Sequence, residues 1–252
     1  MTVGRGQQIL VSFGPAAAAA GLSLDGAGVS ATSSSAGATT LSVTGITTTK
    51  TNDLLMLGIA ATGNVSGVTP AVSSIATAGL TWTKRSSKVM TTANGANAGW
   101  VTNMEIWTAP AASLQSSVTA LITLNNAAAG IAAGVIPING CNSISSPFDP
   151  HTGLPASAVN TSSTVGVQET ATISTTDSPG MVYSWNVNQQ GQGIGGAGGP
   201  FTRSLQLNAP GSGLGPILTL FYDFVPSAQT NLVAFYGAAT DTVWASIWDA
   251  LH

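Results

Sequence analysis

Apolar residues in this chain recur at every second position or in unbroken runs no longer than a strand, and turn-forming residues punctuate them at short intervals. That rhythm excludes most of what such a chain could otherwise build. An amphipathic helix needs apolar positions three and four apart, sustained over about ten residues or more. Thr40-Leu41-Ser42-Val43-Thr44 alternates strictly, as a half-buried strand does. Asp53-Leu54-Leu55-Met56-Leu57-Gly58-Ile59 is continuously apolar after the turn-like Thr51-Asn52, which fits a strand covered on both faces. Alternation returns at residues 80–84 and 104–107, joined through a polar stretch containing Asn94-Gly95. Residues 118–124 and 131–138 are rich in β-branched side chains, and Pro137 marks the second run as an edge or a bulge. Residues 145–163 break the rhythm and read as a surface excursion. Further strands are expected at 170–174, 181–185, 204–207, 217–224, 231–235 and 242–248.

About a dozen short strands without a long helix between them argue for an all-β protein. Two antiparallel sheets with Greek-key connections bury both the continuous runs and the inward faces of the alternating ones. The expected architecture is a jelly-roll-like antiparallel β-sandwich. No repeat of fixed period is visible, which removes propellers and solenoids. Residues 39–252 are expected to form one sandwich domain, preceded by an extended low-complexity arm over residues 1–38. Within that arm Pro15 and Gly21 limit the alanine run at 16–20 to little more than a turn. The arm is expected to order against a neighbouring molecule or against the domain's own sheet.

Six Lys or Arg and nine Asp or Glu are all the charge these 252 residues carry, where a typical domain is about a quarter charged. A net charge of −3 leaves no cationic stripe to neutralise phosphates, so nucleic acid is excluded as a partner. The one basic cluster, Lys84, Arg85 and Lys88, reads as the solvated face of a strand. The 44% hydrophobic content separates the chain from disordered sequences of low hydropathy. Cys141 is the single cysteine and reads as a half-buried thiol; no intrachain disulfide can form. No apolar run reaches the ~20 residues of a membrane helix. Gly14-Pro15 interrupts the stretch that otherwise imitates an export signal, so neither membrane insertion nor export is expected.

Chemistry-bearing motifs are scarce. Gly191-Gln192-Gly193-Ile194-Gly195-Gly196 spells a dinucleotide motif, but Ala197-Gly198-Gly199-Pro200 opens no helix behind it, so a loop is expected. His151, near Asp149, and the terminal His252 are the only histidines; no Gly-x-Ser-x-Gly elbow occurs, and Cys141 has no neighbouring base. Neither calcium-loop spacing nor a Cys/His cluster is present, so no metal and no cofactor are expected. Nothing selects a pair for glycoside hydrolysis from Asp53, Glu105, Asp149, Glu169, Asp223 and Asp241, and catalysis is not expected. Of the tryptophans, Trp82, Trp107, Trp244 and Trp248 read as core. Trp100, beside the 94–99 loop, and Trp185 are the candidates for contact with a glycan or a partner.

Several segments act together: Asn52-Asp53-Leu54-Leu55-Met56-Leu57, Gly79-Leu80-Thr81-Trp82-Thr83-Lys84, Met104-Glu105-Ile106-Trp107-Thr108-Ala109-Pro110, Val135-Ile136-Pro137-Ile138-Asn139-Gly140 followed by Ser145-Ser146-Pro147-Phe148-Asp149, and Trp244-Ala245-Ser246-Ile247-Trp248. In this order and spacing they resemble a jelly-roll-type β domain of tailed-bacteriophage virion proteins, also found in prophage and bacterial surface proteins. The resemblance spans residues 39–252 and leaves the arm uncovered. It implies a non-enzymatic structural or host-interaction role, with no catalytic residues to transfer. The chain has no fibre shaft, coiled coil or collagen-like tract, which favours a compact surface component such as a head decoration, spike or baseplate/fibre protein. Such a protein is made in the host cytoplasm and resides in the virion. It would assemble with itself, a trimer being favoured, and with other virion proteins, the arm helping to anchor it. The alternative is a carbohydrate-binding adhesin or host-receptor-binding module, with a host-surface glycan as partner.

Overall fold

The computed structural model describes residues 21–63, 65–91, 99–160, 169–178, 180–189, 194–198, 200–209, 215–238 and 244–252. Every regular element among them is a strand. The first half of the chain supplies β1 (Ser23–Leu24), β2 (Val29–Ser33), β3 (Ala38–Ile46), β4 (Asp53–Gly63), β5 (Val72–Ala76), β6 (Thr83–Thr91), β7 (Val101–Ala111) and β8 (Val118–Asn139). The second half supplies β9 (Ala156–Asn160), β10 (Glu169–Ile173), β11 (Gly180–Gln189), β12 (Ile194–Gly198), β13 (Thr202–Asn208), β14 (Pro216–Val225), β15 (Leu232–Ala238) and β16 (Trp244–Leu251).

β8 organises the first half. Its opening residues, through Leu124, pair antiparallel with β3 and β5, and its closing residues pair with β1, β2 and β4. The two runs read from the sequence as separate strands are thus one bent strand that belongs to two layers. β4 continues the second layer through β7 to β6. Leu55, Leu57, Ile59 and Ala61 on one face of β4 enter the core between those layers, while Leu54, Met56 and Ala60 on the other face enter a second core. Its continuous apolar run is therefore buried on both sides, as expected. Pro137 sits inside the sheet opposite Leu55, not at an edge. Its carbonyl accepts the Asp25 N–H at 3.0 Å, so its ring nitrogen faces the same side, where β1 ends and the missing N–H costs the ladder no more than the reciprocal bond to Asp25.

The second half repeats this plan. β10 and β12 flank β15 as β3 and β5 flank the start of β8, and the order β9-β16-β11-β14-β13 repeats β2-β8-β4-β7-β6. Phe148 bridges Leu251 where β1 pairs Leu24 with Ile138. Irregularities recur too: the register shift between Lys84 and Ser86 in β6 reappears between Arg203 and Leu205 in β13. Ser117 and Asn231 both adopt φ 54°. Thr48 donates its N–H to the Gln115 carbonyl (3.1 Å) and accepts the Gln115 N–H on Oγ1 (2.9 Å); Thr175 and Gln229 do the same at 2.9 and 2.8 Å. Asp25 accepts the backbone N–H groups of Thr49 and Lys50, and Asp149 those of Thr176 and Asp177.

The fold is all-β and sandwich-like, and its strands fall into two sets of one layout where one sandwich over 39–252 is expected. Two units of one topology, about 22–139 and 148–251, each enclose a core of their own. Successive strands change layer within a unit, as Greek keys do, although β6 pairs with β7 where a jelly roll would set it beside β5. The segment read as an arm already contains β1 and β2, both paired to β8, and residue 38 opens β3. Residues 1–20 lie outside the described residues.

A third core joins the units. Its contacts are reciprocal, as across a two-fold axis: β6 rests on β16 and β9, and β13 rests on β8 and β2. Gly58 and Trp185, each the sixth residue of its strand, meet at the centre of this core. A Cβ on Gly58 would stand 2.5 Å from the Trp185 ring. Trp185 is fully buried there, which corrects its place as a contact candidate: its ring fills the space left by the missing side chain opposite. Overpacking predicts that Gly58→Ala costs about 1–3 kcal/mol, and emptying the centre predicts about 3–5 kcal/mol for Trp185→Ala. Denaturant melts of the two variants test both values.

Candidate ligand groove at one seam between the units

The reciprocal packing makes two equivalent seams, one along β6 and one along β13. At the β6 seam the strand alternation is broken by the register shift between Lys84 and Ser86, and the bulge aims Arg85 inward. Arg85, expected on a solvated face, donates from Nε to Asp249 Oδ2 at 2.7 Å and from Nη2 to Asp249 Oδ1 at 3.2 Å. Asp249 lies on β16, fully buried, and also accepts from Tyr183 Oη (3.3 Å) and its neighbour's N–H on Ala250 (2.9 Å). The Arg85 guanidinium is stacked 3.9 Å from the centroid of Phe148. Burial pushes the Asp249 carboxyl above its usual range, and Arg85 pulls it back down. Burial, reinforced by the Asp249 charge, pushes the Tyr183 phenol well above its ordinary value, so it stays a hydrogen-bond donor.

Beside this cluster a groove of about 490 Å³ opens between the β6–β7 edge and the segment joining the units. Arg85, Thr83 and Thr108 form one wall; Ser145, Ser146 and His151 stand on the other. His151 Nδ1 accepts the Gly153 N–H at 3.1 Å. Asp149 also lines the groove, but it is buried and spends its oxygens on the N–H groups of His151, Thr176 and Asp177. It contacts the backbone of His151, not the ring, and so holds the loop in place as its counterpart Asp25 does. The terminal His252 anchors the same segment, with Nδ1 on the Asp177 carboxylate and Nε2 at 3.2 Å from the Ser146 carbonyl.

The remaining candidates are dispersed. Trp100 is half-buried just ahead of β7. Glu105 is enclosed by the Val72 N–H, Asn103 Nδ2, Trp107 Nε1 and Lys84 Nζ. Burial pushes the Cys141 thiol up to about 11. Residues 191–193 of the glycine motif, like Asp241, lie outside the described residues, and Ile194 begins a strand where a dinucleotide site needs a helix. The Glu169 side chain is likewise outside them. Among the described residues no cluster of three His, Cys, Asp or Glu could hold a metal ion, and no helix is long and apolar enough to cross a membrane.

One acid pair does form, and the sequence offered only half of it. Asp53 is fully buried, with Oδ1 on Asn139 Nδ2 (2.8 Å), and its carboxyl interacts with that of Asp25. Burial, then the shared hydrogen bond with Asp25, raises the Asp53 carboxyl to about 7. Burial opposes ionisation of Asp25 as well, but hydrogen bonds from Thr49, Asp53 and the loop N–H groups hold it at about 2. Protonated Asp53 thus donates to the Asp25 carboxylate. Neither residue lines the groove; the pair ties the start of β4 to β1.

No family model, curated protein or solved structure matches this chain.

Removing one partner of the buried ion pair leaves the other charge unpaired. Arg85→Met is expected to cost about 3–5 kcal/mol and more than Lys84→Met, because Glu105 keeps the Val72, Asn103 and Trp107 donors when Lys84 is lost; chemical denaturation of each compares them. The folded chain holds the Asp53 proton between the unfolded value of 3.8 and about 7. Stability from this group is therefore full below about pH 4 and is lost as pH rises through 7. Asp53→Asn keeps a donor to Asp25 and is expected to flatten the dependence of Tm on pH across that window, which calorimetry from pH 4 to 8 reads directly.

Proposed function

We propose that this protein is a non-enzymatic structural component of a bacteriophage virion, a compact surface protein that assembles through protein–protein contacts. The observation that carries this reading is where the charge goes. Asp25, Asp53, Glu105, Asp149 and Asp249 are all engaged inside the fold, with backbone N–H groups, each other or a basic partner, and the partly exposed Asp177 contacts His252. What faces outward is dominated by hydroxyl and small side chains, with exposed apolar residues such as Leu114, Leu121 and Val159 among them. Faces of this kind associate without the cost of desolvating unpaired charges. Self-association as a trimer and anchoring by the N-terminal residues belong to the same proposal.

A second reading, recognition of a carbohydrate on the host surface, is favoured by the open groove beside Arg85, since Trp185 offers no platform. Light scattering on the purified chain is expected to return three times the 25.0 kDa protomer mass. Mass spectrometry of purified particles is expected to find the protein at a fixed copy number, and deletion of residues 2–20 is expected to lower that number severalfold. Absence from particles would defeat the virion assignment.

A further inference from the structure

The two seams are built from equivalent positions, and a groove opens beside the first of them. The β11–β16 register pairs Tyr183 with Asp249, and the matching β4–β8 register pairs Met56 with Ile136. Arg85 and Ser204 are the bulged residues of β6 and β13. Phe148 and Leu24 occupy the matching bridges beside them. Arg85, Phe148, Tyr183 and Asp249 at the first seam thus answer to Ser204, Leu24, Met56 and Ile136 at the second.

At the second seam Leu205 closes the packing: a Cβ at Gly134 would stand 2.8 Å from its Cδ1, and one at Gly28 3.5 Å from it. The fold therefore has an apolar solution to this junction and uses it once. A buried ion pair is commonly no more stabilising than apolar residues of similar volume. Four coincident departures at the seam that also opens a groove point to binding and not to folding.

We propose that the groove at the β6 seam binds a neutral saccharide of one or two rings. A guanidinium carries five N–H donors; two go to Asp249, and the others have no protein partner among the described residues. Because Asp249 balances the Arg85 charge, the groove offers no surplus positive charge to an anion. It offers directional donors from Arg85 and hydroxyls that both give and accept from Thr83, Ser145 and Ser146, which suits sugar hydroxyls. Pro110 and Pro150 supply apolar rim for the C–H faces of a ring. The volume of about 490 Å³ lies within the usual range for small-ligand sites. This inference rests on the second reading above, carbohydrate recognition.

Titration calorimetry and saturation-transfer NMR on the full chain test it with glucose, galactose, N-acetylglucosamine, maltose and lactose, and with galacturonate as the charged counterpart. At least one neutral sugar is expected to bind at least tenfold more tightly than galacturonate. The variant Arg85→Ser/Tyr183→Met/Asp249→Ile, which rewrites the open seam as the closed one, is expected to keep a cooperative melt and weaken that binding at least tenfold. Ser146→Trp, which blocks the groove without touching the ion pair, is expected to do the same. Binding of none of the neutral sugars, or preference for galacturonate, overturns the proposal. Neutral-sugar binding that survives Ser146→Trp overturns this site while leaving carbohydrate recognition standing. Copy number in particles is read separately and bears only on the virion assignment.

Discussion

The packing of one indole ring against one bare backbone holds the two halves of this molecule in register. Trp185 from β11 seats on Gly58 from β4, and the surrounding core of Met56, Met104, Leu220 and Ile247 closes around that contact. The positions are equivalent in the two units, so the complementarity is of shape within a symmetric frame. Two glycines there would leave a void and two tryptophans would collide. The pairing selects for unlike halves, and the chain satisfies it by joining both in one polypeptide.

Given that frame, the sparse charge acquires a pattern. Asp25 and Asp149 do the same work at equivalent loops, collecting backbone N–H groups ahead of β4 and β11. Departures from equivalence are then informative. Asp53 faces Asp25, whereas the matching strand begins with Gly180, so only one half carries a proton-sharing pair. Arg85 and Asp249 likewise have no counterpart, and they border the groove.

The sequence disclosed the strands better than their organisation. The run 53–59 was legible because a strand buried on both faces has nothing polar to interrupt it. β8 reads as two strands because Asn125 and Asn126 interrupt its apolar pattern; in the fold Asn125 Oδ1 accepts the Ala71 N–H, Asn126 Nδ2 donates to the Thr69 carbonyl, and the strand runs on. The duplication was hidden because its loops differ in length, which erases any fixed period. What survives includes Asp25 and Asp149, Thr48 and Thr175, Ser113-Leu114-Gln115 and Ser227-Ala228-Gln229, and Thr83 and Thr202 at the heads of β6 and β13. Alternation puts Arg85 on a solvated face because it assumes an unbroken ladder, and a bulge is invisible in composition. Asp25 carries no signal in the sequence, since its partner Asp53 becomes adjacent only through pairing of β1 with β8 beside β4.

The course of β8 has a mechanical consequence. A single covalent strand contributes to both layers of the first unit, so those layers cannot be peeled apart by unzipping hydrogen bonds alone. Tension between them loads the peptide backbone itself, and the core beneath is relieved only if the whole strand is withdrawn lengthwise.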